Sequence, residues 1–199
     1  MMADRSTDGF DILINARLGG GLVLIGGLNT GSQVTDNCAA PDFPAQFCKT
    51  TQPWSAGTDI KMNAIYPLPW WGLQTAVTYR NGAGQTQQPN HVVTNAEIAP
   101  SLGRNLSSCA APTGACNATA IVNLVDAQTM FEERGTQLDF RVSKIFRYGR
   151  YRVQANLDAY NLTNADDVLI VQNRFGPNWL QALNVLPGRM VKIGAQFDF

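Results

Sequence analysis

Arg189-Met-Val-Lys-Ile-Gly-Ala-Gln-Phe-Asp-Phe199 is the stretch on which the fold turns. Val191, Ile193, Ala195, Phe197 and Phe199 share one face of an extended strand. Met190, Lys192, Gly194, Gln196 and Asp198 share the other, because successive strand side chains point opposite ways. Its length suits a tilted membrane-crossing strand of ~9–11 residues. A two-layer soluble sandwich also carries such edge strands, so the remaining segments have to decide.

The same alternation recurs upstream. Ile12, Ile14, Ala16 and Leu18 oppose Asp11, Leu13, Asn15 and Arg17. Leu138, Phe140 and Val142 oppose Asp139, Arg141 and Ser143. Tyr151, Val153, Ala155, Leu157 and Ala159 oppose Arg152, Gln154, Asn156, Asp158 and Tyr160. Together with a blurred, glycine-rich segment at 21–34, the pattern predicts seven strands: 10–18, 21–34, 56–67, 72–82, 136–147, 150–162 and 188–199. Helical spacing of apolar residues is absent from all of them. Residues 1–9 read as an unstructured lead.

The connections alternate in length. Leu18–Gly21, Pro67–Gly72 and Phe146–Arg150 are tight turns, whereas 35–55, 83–135 and 163–187 are long and irregular. Long irregular loops are uncommon in compact soluble domains. Outer-membrane barrels, however, pair short periplasmic turns with long outer loops. Trp70, Trp71, Phe146, Tyr148, Tyr151 and Phe199 gather at the short-turn end, where amphipathic rings form a membrane-interface girdle. If Phe199 lies in the periplasm, counting back through seven strands starts the first one outside. Complete bacterial barrels have even strand numbers, so the expectation is a slice of a larger barrel. One further strand within 92–98 or 119–125 would change that count.

Composition agrees with alternation and narrows the function classes. Fifteen Lys+Arg balance fifteen Asp+Glu, and only 15% of residues are charged, against ~25% in ordinary soluble domains. Without a basic surplus no nucleic-acid partner is expected. The start of the sequence has no apolar signal-peptide core. The four cysteines fall in two close pairs, Cys38/Cys48 and Cys109/Cys116, without metal-ligand spacing, and the single His91 is remote from both. Two loop disulfides and an oxidising compartment are the expectation.

Further residues carry a resemblance. Arg134-Gly-Thr-Gln-Leu-Asp-Phe-Arg-Val-Ser-Lys-Ile-Phe-Arg-Tyr-Gly149 followed by Arg152-Val-Gln-Ala-Asn-Leu-Asp-Ala-Tyr-Asn-Leu-Thr-Asn164 resembles the closing strands of TonB-dependent outer-membrane receptors. More narrowly it is similar to the Oar-like receptors with a carboxypeptidase-regulatory-like N-terminal domain, common in Acidobacteria. Residues 66–74, 94–106, 175–180 and 186–189 are similar to the same group, so the likeness runs from about residue 10 onward. It implies an all-β chain: an antiparallel meander that forms the C-terminal segment (10–199) of a plugged barrel of ~22 strands. It implies an outer-membrane location in lipid, and a TonB partner engaged only through an N-terminal part not included here. Because the plug is also missing, transport by this chain alone is not expected. It further implies that Val191, Ile193, Ala195, Phe197 and Phe199 are the signal read by the barrel assembly machinery, by strand addition to an exposed edge.

No catalytic constellation, metal site or cofactor is expected. His91 reads as a loop residue, Asp166-Asp167 as a solvated pair, and Gly19-Gly-Gly21 as a turn without the helix a phosphate cradle needs. Asp139, Arg141, Arg152, Asn156, Asp158, Lys192 and Gln196 are the expected lumen-facing polar set, satisfied mainly across neighbouring strands. Trp54, Arg104 and Trp179 are the candidate ligand-facing loop residues; the ligand itself is not legible. Two alternatives stay open at this stage. One is a self-contained small outer-membrane barrel of structural or adhesion type, with strands hidden in 83–135. The other is a soluble β-rich binding module.

Overall fold

The computed structural model describes residues 4–39, 42 and 45–199. Strands account for 54% of the chain and helix for 9%, so the protein is all-β and antiparallel. In chain order the elements are β1 (Asp4–Arg17), β2 (Val23–Asp36), β3 (Lys49–Thr51), β4 (Asp59–Pro67), β5 (Leu73–Gly82), β6 (Asn90–Thr94), α1 (Asn95–Leu102), β7 (Thr119–Asn123), β8 (Gly135–Tyr148), β9 (Tyr151–Tyr160), β10 (Val168–Val171), β11 (Ala182–Val185) and β12 (Met190–Asp198).

The seven expected strands form one meander in the order β1-β2-β4-β5-β8-β9-β12, with β3 added beside β2. Every neighbouring pair is antiparallel. The sheet is open, with β1 and β12 as its edges. β6 and β7 form a separate two-stranded sheet, as do β10 and β11, so the strands within 92–98 and 119–125 do not enter the meander. Among the described residues no helix is long and apolar enough to cross a membrane.

The expected unstructured lead is corrected from Asp4 on: Asp4–Gly9 pairs residue for residue with Gly31–Asp36. This end of β1 is polar on both faces, so it has no alternation to betray it. Its order comes from the ladder bonds to β2. The β8–β9 hairpin turns on Gly149-Arg150, with Gly149 at φ 58°. A two-residue hairpin needs that left-handed backbone to match strand twist, and glycine reaches it without strain. At the opposite end the 54–57 turn lies flat on β2, because any Cβ on Gly57 would come within 2.0 Å of the Gly31 carbonyl oxygen.

The long connections are folded segments. α1 starts with a capping box: the Thr94 amide donates to Glu97 Oε2 at 2.7 Å, and the Thr94 hydroxyl at 2.8 Å. Helix α1 ends on Gly103 at φ 69°, whose amide donates to Ala99 O. Residues 103–118 then wrap around two buried asparagines. Asn95 Nδ2 donates to Asn105 Oδ1 at 2.9 Å, and the Leu106 amide to Asn95 Oδ1 at 2.8 Å.

Candidate functional site

Register decides what the sheet can do. Across the meander, cross-strand partners line up as rows, and the rows sort by chemistry. One row reads Ile14–Gly26–Met62–Tyr79–Leu138 and the next Ala16–Leu24–Ala64–Val77–Phe140–Ala159–Val191. Further along, Val142–Leu157–Ile193 and Phe146–Val153–Phe197 continue the same face. Among the described residues of the strands, between the Phe10–Thr30 pair and the short turns, Lys144 is the only charged residue on this face. It stands near the turns, with its ammonium 5.2 Å from the Phe146 ring centroid.

Around β8, β9 and β12 burial runs opposite to a soluble sheet. On the apolar face, Ile193 is 83% exposed and Leu157 48%. On the polar face, Ser143 is 3% exposed and Asp158 4%. In a water-soluble fold a buried polar set beside an exposed apolar patch is the unusual arrangement. Here it is confined to the β8–β9–β12 end; on β2, β4 and β5 the exposed residues, Ile25, Asn29, Lys61 and Arg80 among them, lie on the polar face.

The expected polar set lies together on the second face. Arg141, Asp158 and Lys192 stand in one row across β8, β9 and β12. Arg141 holds Asp158 with both ends of its fork, Nη2 to Oδ2 at 3.1 Å and Nε to Oδ1. Asn156 accepts from Ser143 Oγ at 2.7 Å and from Gln154 Nε2 at 3.0 Å. Arg152 donates to Gln154 Oε1, and Gln196 to Asp198 Oδ1. Asp139 accepts from Gln137 Nε2 and from the Asn161 amide, both at 2.9 Å. The set therefore satisfies itself largely within the wall. A hollow of about 350 Å³ opens on this face among Asn63, Thr78, Arg80, Arg141, Asp158 and Tyr160.

The five tail residues Val191, Ile193, Ala195, Phe197 and Phe199 alternate along edge strand β12 and the residue after it, with Phe199 almost wholly exposed. The three candidate loop residues do not converge. Trp54 packs on Phe10, ring centroids 6.2 Å apart. Trp179 packs on Phe175 at 6.1 Å, and Phe175 meets His91 edge-on at 6.1 Å. Arg104 is engaged with Asp42, Nη2 to Oδ1 at 2.6 Å, and with the Asn105 carbonyl at 2.9 Å.

Both expected disulfides are present, Cys38–Cys48 and Cys109–Cys116. In the chain-entropy picture, loops of this size contribute roughly 2–3 kcal/mol each. Asp42, inside the first disulfide loop, reaches across to the residues just before the second, accepting from the Ser107 amide at 2.5 Å. A scan against protein-family models, a search of curated proteins and a search of solved structures each returned no match.

Two carboxyls at the long-loop end sit below the usual carboxylate range. The Thr94 amide and hydroxyl lower Glu97, and Ser107, then Arg104, lower Asp42. A depressed folded pKa adds stability above the unfolded value and loses it as pH falls through the folded one. The loop contacts are therefore expected intact above pH 4.5, the ordinary Glu value, and released below the lowered values. Amide exchange at Asn95–Glu97 and at Ser107 should accelerate in that acid window. An E97Q variant should exchange with no such step at Asn95–Glu97; a step that persists in E97Q would sink the assignment to Glu97.

Asn161 went unremarked in the sequence reading. It is 2% exposed and has φ 49°. Its Nδ2 donates to Ala165 O at 2.7 Å and Pro187 O at 2.9 Å, and its Oδ1 accepts from the Ala165 amide at 2.8 Å. The signal was available: asparagine tolerates the left-handed region and bonds its own turn, and Asn161 directly follows the alternation of β9.

Proposed function

We propose that this chain is barrel wall from the C-terminal part of a TonB-dependent outer-membrane receptor, taking up a ligand of unidentified chemistry. The observation that carries the reading is the apolar face itself, in register across seven strands and exposed at Ile12, Ile14, Leu157, Ile193 and Phe197, while Ser143 and Asp158 on the polar face are buried. Bilayer-spanning sheets need that arrangement, since lipid rewards an apolar surface and leaves a polar interior to water. Dimensions support it. From Leu138 to Tyr148 the strand spans roughly 34 Å at ~3.4 Å per residue, which a tilt of ~40° shortens to about 26 Å. Outer-membrane apolar bands are ~25 Å tall. Lys144 falls near the short turns, where its charge snorkels to the headgroups.

In this reading the short turns are periplasmic, the folded loops face outward, and β12 presents the assembly signal to the barrel assembly machinery. Transport then needs the plug and the TonB-contacting segment of the whole receptor. β6 and β7, in their own sheet, do not supply the strand that a self-contained small barrel would require.

The test is depth. In vesicles of bromine-labelled phosphatidylcholine, tryptophan emission should be strongly quenched, and a W70F/W71F double variant should lose most of that quenching. Emission equal to that in unlabelled vesicles would rule the barrel reading out.

A further inference from the structure

The formal net charge of the chain is zero, yet charge is not spread evenly along the strands. Among the described residues, the short-turn end holds Arg17, Lys144, Arg147, Arg150 and Arg152 against a single acid, Asp198. Arg147 and Arg152 stand directly opposite each other across the β8–β9 hairpin, and like charges so placed repel. None of these five cations has a salt-bridge partner among the described residues. Asp198 lies opposite Arg152 on the polar face, and its carboxylate accepts from Gln196. The nearest acidic row toward the long loops is that of Asp158, which Arg141 already holds.

Two of the cations lean on rings of the apolar face. The Lys144 ammonium lies 5.2 Å from the Phe146 ring centroid, so its side chain bends toward the short turns. The Arg150 guanidinium lies 5.2 Å from the Tyr151 centroid and donates to the Tyr151 hydroxyl at 3.1 Å. In its own row Lys144 meets only Leu73 and Ala155. The rows on either side of it are Val142–Leu157–Ile193 and Phe146–Val153–Phe197. No carboxylate stands on this face to neutralise either cation.

We infer that this rim selects anionic phospholipid, with the lipid phosphate between Lys144 and Arg150 and the acyl chains along the apolar rows. Charge alone would admit any anion, but the placement narrows the choice. The cations stand at the margin of a face that is apolar in register across the sheet, so the occupant must be anionic at one end and apolar along its length. A soluble anion or a nucleic acid would leave those rows uncovered. Tyr148 and Tyr151, paired and exposed at the hairpin end, are amphipathic rings of the kind that sit at headgroup level. A zwitterionic lipid offers the same phosphate but brings its own ammonium, which the unpaired cations of the rim repel. An anionic headgroup brings none, and basic residues beside a bilayer attract it. The inference rests on the proposed function and adds to it which lipid class the short-turn end prefers.

The experiment uses the full chain carrying Trp54→Phe and Trp179→Phe, so that Trp70 and Trp71 are the reporters. Their turn adjoins Lys144, since the Ile145 amide donates to Gly72 O at 3.0 Å. Mixed vesicles of phosphatidylcholine and phosphatidylglycerol are made at one composition, with bromine on either the first lipid or the second. The relative affinity read from the two labellings should favour phosphatidylglycerol at least ~5-fold, and less so as salt rises. Lys144→Gln with Arg150→Gln should bring the ratio close to unity while quenching by bromophosphatidylcholine persists. Lys144→Arg with Arg150→Lys should keep the preference, and Lys61→Gln with Arg80→Gln, on the polar face, should leave it unchanged. Equal affinity for the two lipids in the parent, or a preference that survives in K144Q/R150Q, would overturn the proposal. Equal affinity with strong quenching removes the lipid site alone, whereas quenching by neither lipid removes the barrel reading and the site together.

Discussion

Asn161→Ala is expected to destabilise the protein by about 3–4 kcal/mol, the largest effect of any single truncation at the sheet's connections. Three hydrogen bonds to backbone groups disappear with the amide, those to Ala165 O, to Pro187 O and from the Ala165 amide, along with a long one from the Thr163 hydroxyl. Each of the three leaves a sheltered backbone group unpaired, at ~1 kcal/mol or more apiece. Alanine must also hold a left-handed backbone at φ 49°, which costs roughly a further 1 kcal/mol. Because Pro187 immediately precedes the run into β12, the lost bond frees the connection that sets where β12 begins. Urea unfolding of the chain in detergent micelles, followed by tryptophan emission, should show the lower midpoint with an unchanged slope. Asn161→Gly relieves the backbone term but not the bonds, so it should recover only a minor part. A midpoint within experimental error of the parent would mean that the amide does not hold this junction.

Leu157→Arg should be the most damaging substitution on the apolar face. Leu157 stands near mid-height of β9, flanked by Val142 and Ile193, and is 48% exposed. In water an arginine at a half-exposed strand position is close to neutral. At the middle of a bilayer it costs ~2–4 kcal/mol. The same substitution thus separates the two environments by its size. Folding into vesicles should fall off, read by the fraction that resists heat on gels, while Gln154→Arg on the opposite face should be tolerated. An unimpaired Leu157→Arg would favour an aqueous sheet.

Much of the meander was legible because period-two alternation is an unambiguous signal where one face is apolar and the other polar. Residues 136–147 and 150–162 show this, and β8 and β9 lie within two residues of those bounds at every end. Where both faces share a chemistry the signal vanishes. The Asp4–Gly9 end of β1 is polar on both sides, and the β10 run Val168-Leu-Ile-Val171 is apolar on both. The helix at 95–102 was legible in principle, since Thr94 and Glu97 spell a capping box. A proline at position 100 and a short apolar stripe hid it. The cysteine pairing was readable from proximity alone. Asn161 was legible as a turn residue after β9, but its bond to Pro187, which only the folded chain brings near, was not.

The order of the sheet also sets an order of events in folding. Most neighbouring strands are joined by turns or modest loops, but β5 meets β8 across the whole 83–134 insertion. Closing a loop of that size costs about 2 kcal/mol more than closing a five-residue hairpin. Pairing should therefore propagate separately through β1–β5 and through β8–β12. The ten-residue seam between Leu73–Gly82 and Gly135–Lys144 then joins two preformed halves, and substitutions along that seam should alter the folding rate far more than those in the β1–β2 hairpin.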